Sequence, residues 1–80
     1  MTNDDARALL ARLLHRIAPE VDLADAADGE SLQEAFDLDS MDFLNLVTAL
    51  HDDAGIDIPE ADYPKVGTIG TFIAYVAAAS

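Results

Sequence analysis

None of the 80 residues is a cysteine. That absence excludes a disulfide framework, a zinc–thiolate site and a cysteine nucleophile. Any thiol chemistry must use a thiol brought from outside. Basic residues are almost as scarce, with 4 Lys and Arg against 16 Asp and Glu for a formal charge of −12. Arg7, Arg12 and Arg16 sit near the start, and no Lys or Arg occurs between Glu20 and Asp62. Such a surface repels nucleic acid and anionic membranes, and attracts basic partners over a Debye length of ~8 Å at physiological salt. Nucleic-acid binding is excluded. Long apolar runs are missing as well: the longest, Phe72 to Ala79, falls far short of the ~20 residues that span a bilayer. The opening Met1-Thr2-Asn3-Asp4-Asp5 is acidic where a secretory signal is basic. These features predict a cytoplasmic chain with no membrane insertion.

Several chemical signatures are also lacking. No Walker or dinucleotide glycine motif occurs, and no stretch has the calcium-loop order of acids, glycine and glutamate. His15 and His51 each lack a second ligand at metal spacing, so no metal site is expected. What is present is a core: 51% of the residues are hydrophobic, which excludes a disordered acidic tail. A chain this short buries only about 60–65% of its unfolded surface, so each helix must contribute apolar area to one domain, residues 1–80.

Ala6, Leu9, Leu10, Leu13, Leu14 and Ile17 alternate by threes and fours, which predicts helix I over about 3–18. Thr2 or Asn3 can cap it, Asp4 and Asp5 suit its first turn, and Pro19 stops it. Residues 19–39 form a long connection in which Ser31 and Glu34 have capping-box spacing for a single helical turn. Phe36 and Leu38 are expected to pin it. Met41, Leu44, Leu46, Val47, Leu50 and Ala54, with Phe43 widening the stripe, predict helix II over about 40–54, closed by Gly55. Ile56-Asp57-Ile58-Pro59 is an extended link. Residues 60–66 form at most a short helix III, interrupted by Pro64, and Thr68 caps helix IV, about 68–79. The expected fold is an all-α helical bundle with no strands.

The sharpest local signal is Asp37-Leu38-Asp39-Ser40-Met41-Asp42, which puts Ser40 at the start of helix II after a long loop. By position alone Asp39 or Ser40 reads as an ordinary N-cap. A hydrolytic role fails on geometry. His51 lies eleven residues along the same helix, about 16 Å away at 1.5 Å per residue, and no Gly-x-Ser-x-Gly elbow frames the serine. A serine at a helix N-terminus does suit carrying a phosphate, because free N–H groups and the helix dipole favour one there. Asp37, Asp39 and Asp42 oppose that group, and a basic docking partner would account for them.

Asp39-Ser40-Met41 resembles the Asp-Ser-Leu attachment motif of acyl carrier proteins, with methionine for leucine. Leu38 to Asp42, then Leu44, Leu46-Val47, Ala49-Leu50, Asp52, Asp53 and Ile56-Asp57-Ile58-Pro59 fall at that family's spacings without a gap. The resemblance covers essentially the whole chain. It implies an acyl-carrier-like four-helix bundle with a long loop between helices I and II and a short helix III. It also implies a non-enzymatic monomer in which a phosphopantetheinyl transferase places a 4′-phosphopantetheine arm from coenzyme A on Ser40. The arm's thiol would hold acyl groups as thioesters in fatty-acid, polyketide or specialised biosynthesis. Acyl ligase, synthase or transferase partners would read helix II through basic patches meeting Asp37, Asp39 and Asp42. Met41 and Leu44 would serve as apolar contacts. Leu46, Val47, Phe72 and Ile73 are core by their period, and could also shelter an acyl chain as some members of the family do.

Three positions depart from the family pattern. Asn45 stands where fatty-acid carriers usually have glutamate, His51 replaces a usual acid, and Phe43 is bulkier than the common residue. These point to a dedicated carrier for a specialised pathway. Two other readings stay open at this stage: a peptidyl or aminoacyl carrier, and an unmodified acidic interaction module. Peptidyl carriers usually have glycines and a histidine or aspartate ahead of the serine, so Leu38-Asp39 favours the acyl type.

Overall fold

A computed structural model describes residues 1–79. Its elements are α1 (Asn3–Ile17), a 3₁₀ turn (Leu23–Asp25), α2 (Leu32–Ala35), α3 (Ser40–Ala54), a 3₁₀ helix (Glu60–Val66) and α4 (Ile69–Ala79). The chain is an all-α bundle in which α1 packs on both α3 and α4, and α4 carries the Glu60–Val66 helix. Among the described residues the extended pairing is limited to one isolated bridge, Ser31 with Thr68.

Each boundary has a local cause. Asp5 N–H donates to Thr2 Oγ1 (3.1 Å), so Thr2 rather than Asn3 caps α1. The helix ends at Ile17, one residue before the sequence expectation. Ala18 is drawn to φ −137° because Pro19 crowds a helical residue before it. α4 likewise starts one residue late, at Ile69, because Thr68 stays outside as the cap. Thr71 N–H donates to Thr68 Oγ1 (3.2 Å) and Thr68 N–H to Thr71 Oγ1 (3.1 Å). Gly55, at φ +68°, ends α3 in the left-handed conformation that glycine adopts freely.

The core collects the stripes predicted from periodicity, Leu10, Leu13 and Leu14 of α1 and Leu46 and Leu50 of α3, together with Ile69, Phe72 and Val76 of α4, and all are at most 1% exposed. Each such aliphatic or aromatic side chain contributes roughly 1.5–3 kcal/mol on burial. No polar or charged side chain is buried among the described residues. In a chain this small, nearly all the cohesion is therefore apolar.

The long connection is fastened in three ways. Leu23, Leu32, Phe36 and Leu38 reach the core. Backbone bonds then tie the loop to the start of α4: Leu32 N–H to Gly67 O (3.0 Å), Ile69 N–H to Glu30 O (3.1 Å) and Gly70 N–H to Asp28 O (2.8 Å). A bidentate Arg7–Asp28 ion pair (2.7 and 2.9 Å) links the same loop to α1. It holds the Asp28 carboxyl below the usual aspartate range and the guanidinium above its own.

Candidate functional site

The approach to Ser40 is a left-handed turn. After α2, Leu38 N–H donates to Gln33 O (2.8 Å) and Asp37 N–H to Glu34 O (3.4 Å), the paired bonds of a Schellman cap. The geometry puts Asp37 at φ +54°, a conformation that aspartate tolerates better than most residues but glycine best. The turn aims the chain into α3 with Leu38 buried and Asp39 and Ser40 exposed.

Asp39 then decides what Ser40 is free to do. Asp42 N–H donates to Asp39 Oδ1 (2.8 Å) and Asp39 N–H to Asp42 Oδ2 (3.4 Å), a closed capping box. The carboxylate therefore satisfies the helix end, and the Ser40 hydroxyl has no hydrogen-bond partner among the described residues. The expectation that free N–H groups would cradle a phosphate needs adjusting here, because the Asp42 N–H is already taken. A phosphodiester on Ser40 would project outward into the field of Asp37, Asp39 and Asp42.

Among the described residues no lysine or arginine is paired with Asp37, Asp39 or Asp42. Arg7 is paired with Asp28, Arg16 with Asp53 at 2.6 Å, Arg12 with Asp53 at 3.9 Å, and Lys65 with Asp62 at 3.1 Å. The same pairs sort the acids of α3. Asp53 faces α1 and its arginines, whereas Asp52 is exposed. Asn45 is exposed. Met41 and Leu44 are 66% and 45% exposed, an apolar pair on a helix whose neighbours are acids. His15 and His51 are both exposed, and no group of three metal-capable side chains occurs among the described residues.

Beside Ser40 lies a groove of about 390 Å³ lined by Gln33, Ser40, Phe43, Leu44, Glu60, Tyr63 and Gly67. Two of its lining residues, Phe43 and Tyr63, meet edge to face, with ring centroids 5.4 Å apart and planes at 80°. Leu46, Val47, Phe72 and Ile73, named from sequence as possible acyl contacts, are buried in the core and do not line it. Gln33, Glu60 and Tyr63 were not singled out from sequence. They converge on Ser40 only through the packing of α2 and the 3₁₀ helix, and no local pattern signals that. Tyr63 is held in place indirectly. The Tyr75 hydroxyl of α4 donates to Asp62 Oδ2 (2.7 Å), which lowers the Asp62 pKa, with help from Lys65, and raises that of Tyr75.

The Ser40 hydroxyl is exposed and unengaged at the start of a helix, and no histidine or lysine is bonded to it among the described residues. The sequence profile of the phosphopantetheine attachment site family matches residues 4–76. The chain belongs to that family. Its cofactor is phosphopantetheine, and the family's members are carriers rather than enzymes. Curated relatives agree. An acyl carrier protein of Lactobacillus johnsonii is 39% identical over 46 residues, 58% of this chain and 58% of the relative. An acyl carrier protein of Lactobacillus acidophilus is 28% identical over 57 residues, 71% of each chain. The first of these matches thus spans less than two thirds of the relative's length. No helix among the described residues is long and apolar enough to cross a membrane.

Proposed function

We propose that this chain is an acyl carrier protein whose 4′-phosphopantetheine arm is attached at Ser40. The observation that carries this reading is the division of labour at the start of α3: Asp39 caps the helix, leaving the Ser40 hydroxyl exposed and unengaged. In the loading step the Ser40 oxygen forms a bond to the β-phosphorus of coenzyme A. The phosphoanhydride bond breaks, 3′,5′-ADP leaves, and the hydroxyl proton is released. The transferase supplies the catalytic groups; the carrier supplies the oxygen and the surface.

That surface is Asp37, Asp39, Met41, Asp42, Leu44 and Asn45, a small apolar centre ringed by carboxylates. It suits phosphopantetheinyl transferase and acyl ligase, synthase or transferase enzymes with basic patches, since complementary charge speeds encounter and fixes register. Asn45 and the diversion of Asp53 to α1 make it less charged than an unbroken acidic helix, which fits a dedicated pathway with its own enzymes.

The test is intact mass after incubation with coenzyme A and a broad-specificity transferase. Wild type gains one phosphopantetheine and Ser40→Ala gains none. Because Asp39 is the cap, Ser40→Ala changes stability by no more than about 0.5 kcal/mol. An unmodified wild type would leave the alternative of an acidic interaction module.

A further inference from the structure

Phe43 has two sides. It belongs to the buried core cluster at 7% exposure, and it also lines the groove beside Ser40. Tyr63, half-buried, packs on the same core from the 3₁₀ helix and meets Phe43 ring to ring. The two rings thus stand between α3 and the 3₁₀ helix as the wall separating groove from interior. The core that Phe43 joins includes Leu46, Val66 and Phe72, each at 0% exposure. A chain entering there would have to displace close-packed side chains, and interiors at crystal-like density yield little room without strain.

We infer that this carrier holds short acyl groups in the external groove, against Leu44 and Tyr63, and that the Phe43–Tyr63 pair bars longer alkyl chains from the core. The inference rests on attachment at Ser40, which places the arm at the groove's edge. Two further features favour short cargo. The groove's roughly 390 Å³ must take the far end of the arm as well as the cargo. Gln33 and Glu60 line it, and their side chains make no hydrogen bond or ion pair among the described residues. Laying a long alkyl chain over them would strip their water and offer no partner in return.

The experiment loads the full chain with butyryl- or octanoyl-phosphopantetheine from the corresponding coenzyme A thioesters, verifies the mass, and follows side-chain NMR signals. Both cargoes are expected to shift Leu44, Tyr63 and the Gly67 amide, and to leave Leu46, Val66 and Phe72 at their unloaded positions. In Tyr63→Ala, octanoyl but not butyryl is expected to move Leu46 and Phe72. Should that variant fail to fold by circular dichroism, Phe43→Val opens the same wall. Octanoyl moving the core signals in wild type overturns the inference while leaving the carrier reading intact. An opened variant whose core signals stay still removes the ring pair as the barrier. If no mass is added at all, both readings fall together.

Discussion

α1 and α3 are both 15-residue helices, both capped by an oxygen side chain, and both packed into the same core. They differ in what they leave outside. α1 buries all four of its leucines, and all three of its arginines pair with acids of other segments. α3 buries Phe43, Leu46, Val47 and Leu50 but leaves Met41 and Leu44 in water beside unpaired acids. Those two apolar side chains add little to the core and belong to the surface proposed above to meet partner enzymes. α1 holds the fold together, and α3 holds it together and faces outward.

The contrast breaks first at the core. Leu10→Ala, at 1% exposure, is expected to cost about 2–5 kcal/mol in denaturant unfolding. Met41→Ala is expected to stay within about ±0.5 kcal/mol while slowing arm transfer. Equal losses at the two sites would mean that Met41 is structural. The caps come next. Asp39→Ala leaves the Asp42 N–H without its acceptor and is expected to cost about 0.5–2 kcal/mol. Thr2→Ala should fall at the low end of that range, because its bond from the Asp5 N–H is longer, 3.1 Å against 2.8 Å at Asp39.

A smaller effect runs the other way. Asp37→Gly relieves a left-handed aspartate and is expected to stabilise by about 0.5–1 kcal/mol, net of the added freedom of the unfolded chain. The same change should slow the transferase at low salt, since it removes a carboxylate beside Ser40. The mildest prediction concerns acid. Asp28 and Asp62 are both held below the ordinary aspartate range by their partners. Their contributions are therefore complete above about pH 4 and fade as pH falls through the lowered values. Tyr75 is shifted upward, so its bond to Asp62 holds below the ordinary tyrosine range and is lost as pH rises through the raised value. Thermal melts of Tyr75→Phe should accordingly lose this part of the pH dependence at both ends.

Much of this was legible from residue order because helices of this length advertise themselves by period and punctuation. Gly55 marked the end of α3, and Leu38-Asp39-Ser40 marked its start. Which of Asp39 and Ser40 would cap was not legible, because both side chains suit the role and only the bond to the Asp42 N–H separates them. Asp52 and Asp53 looked alike in the sequence; helix packing turned one to the arginines and left the other in water. The groove was the least visible feature. Gln33, Phe43 and Tyr63 come from three separate segments, and nothing near any one of them announces the others.

The fastening of the long loop has a consequence for how the chain can vary. Its ties to the start of α4 run through backbone amides and carbonyls, so substitutions at Ala27 and Gly29 need not loosen Ser40's approach, whereas Asp28 and Glu30 also hold the loop by their side chains. A further constraint lies on the other side of the seam. A Cβ at Gly70 would come within 3.2 Å of the Asp28 backbone oxygen and Cβ. Mutational tolerance should therefore be broad at Ala27 and Gly29 and narrow at a glycine on a helix that contributes no residue to the groove.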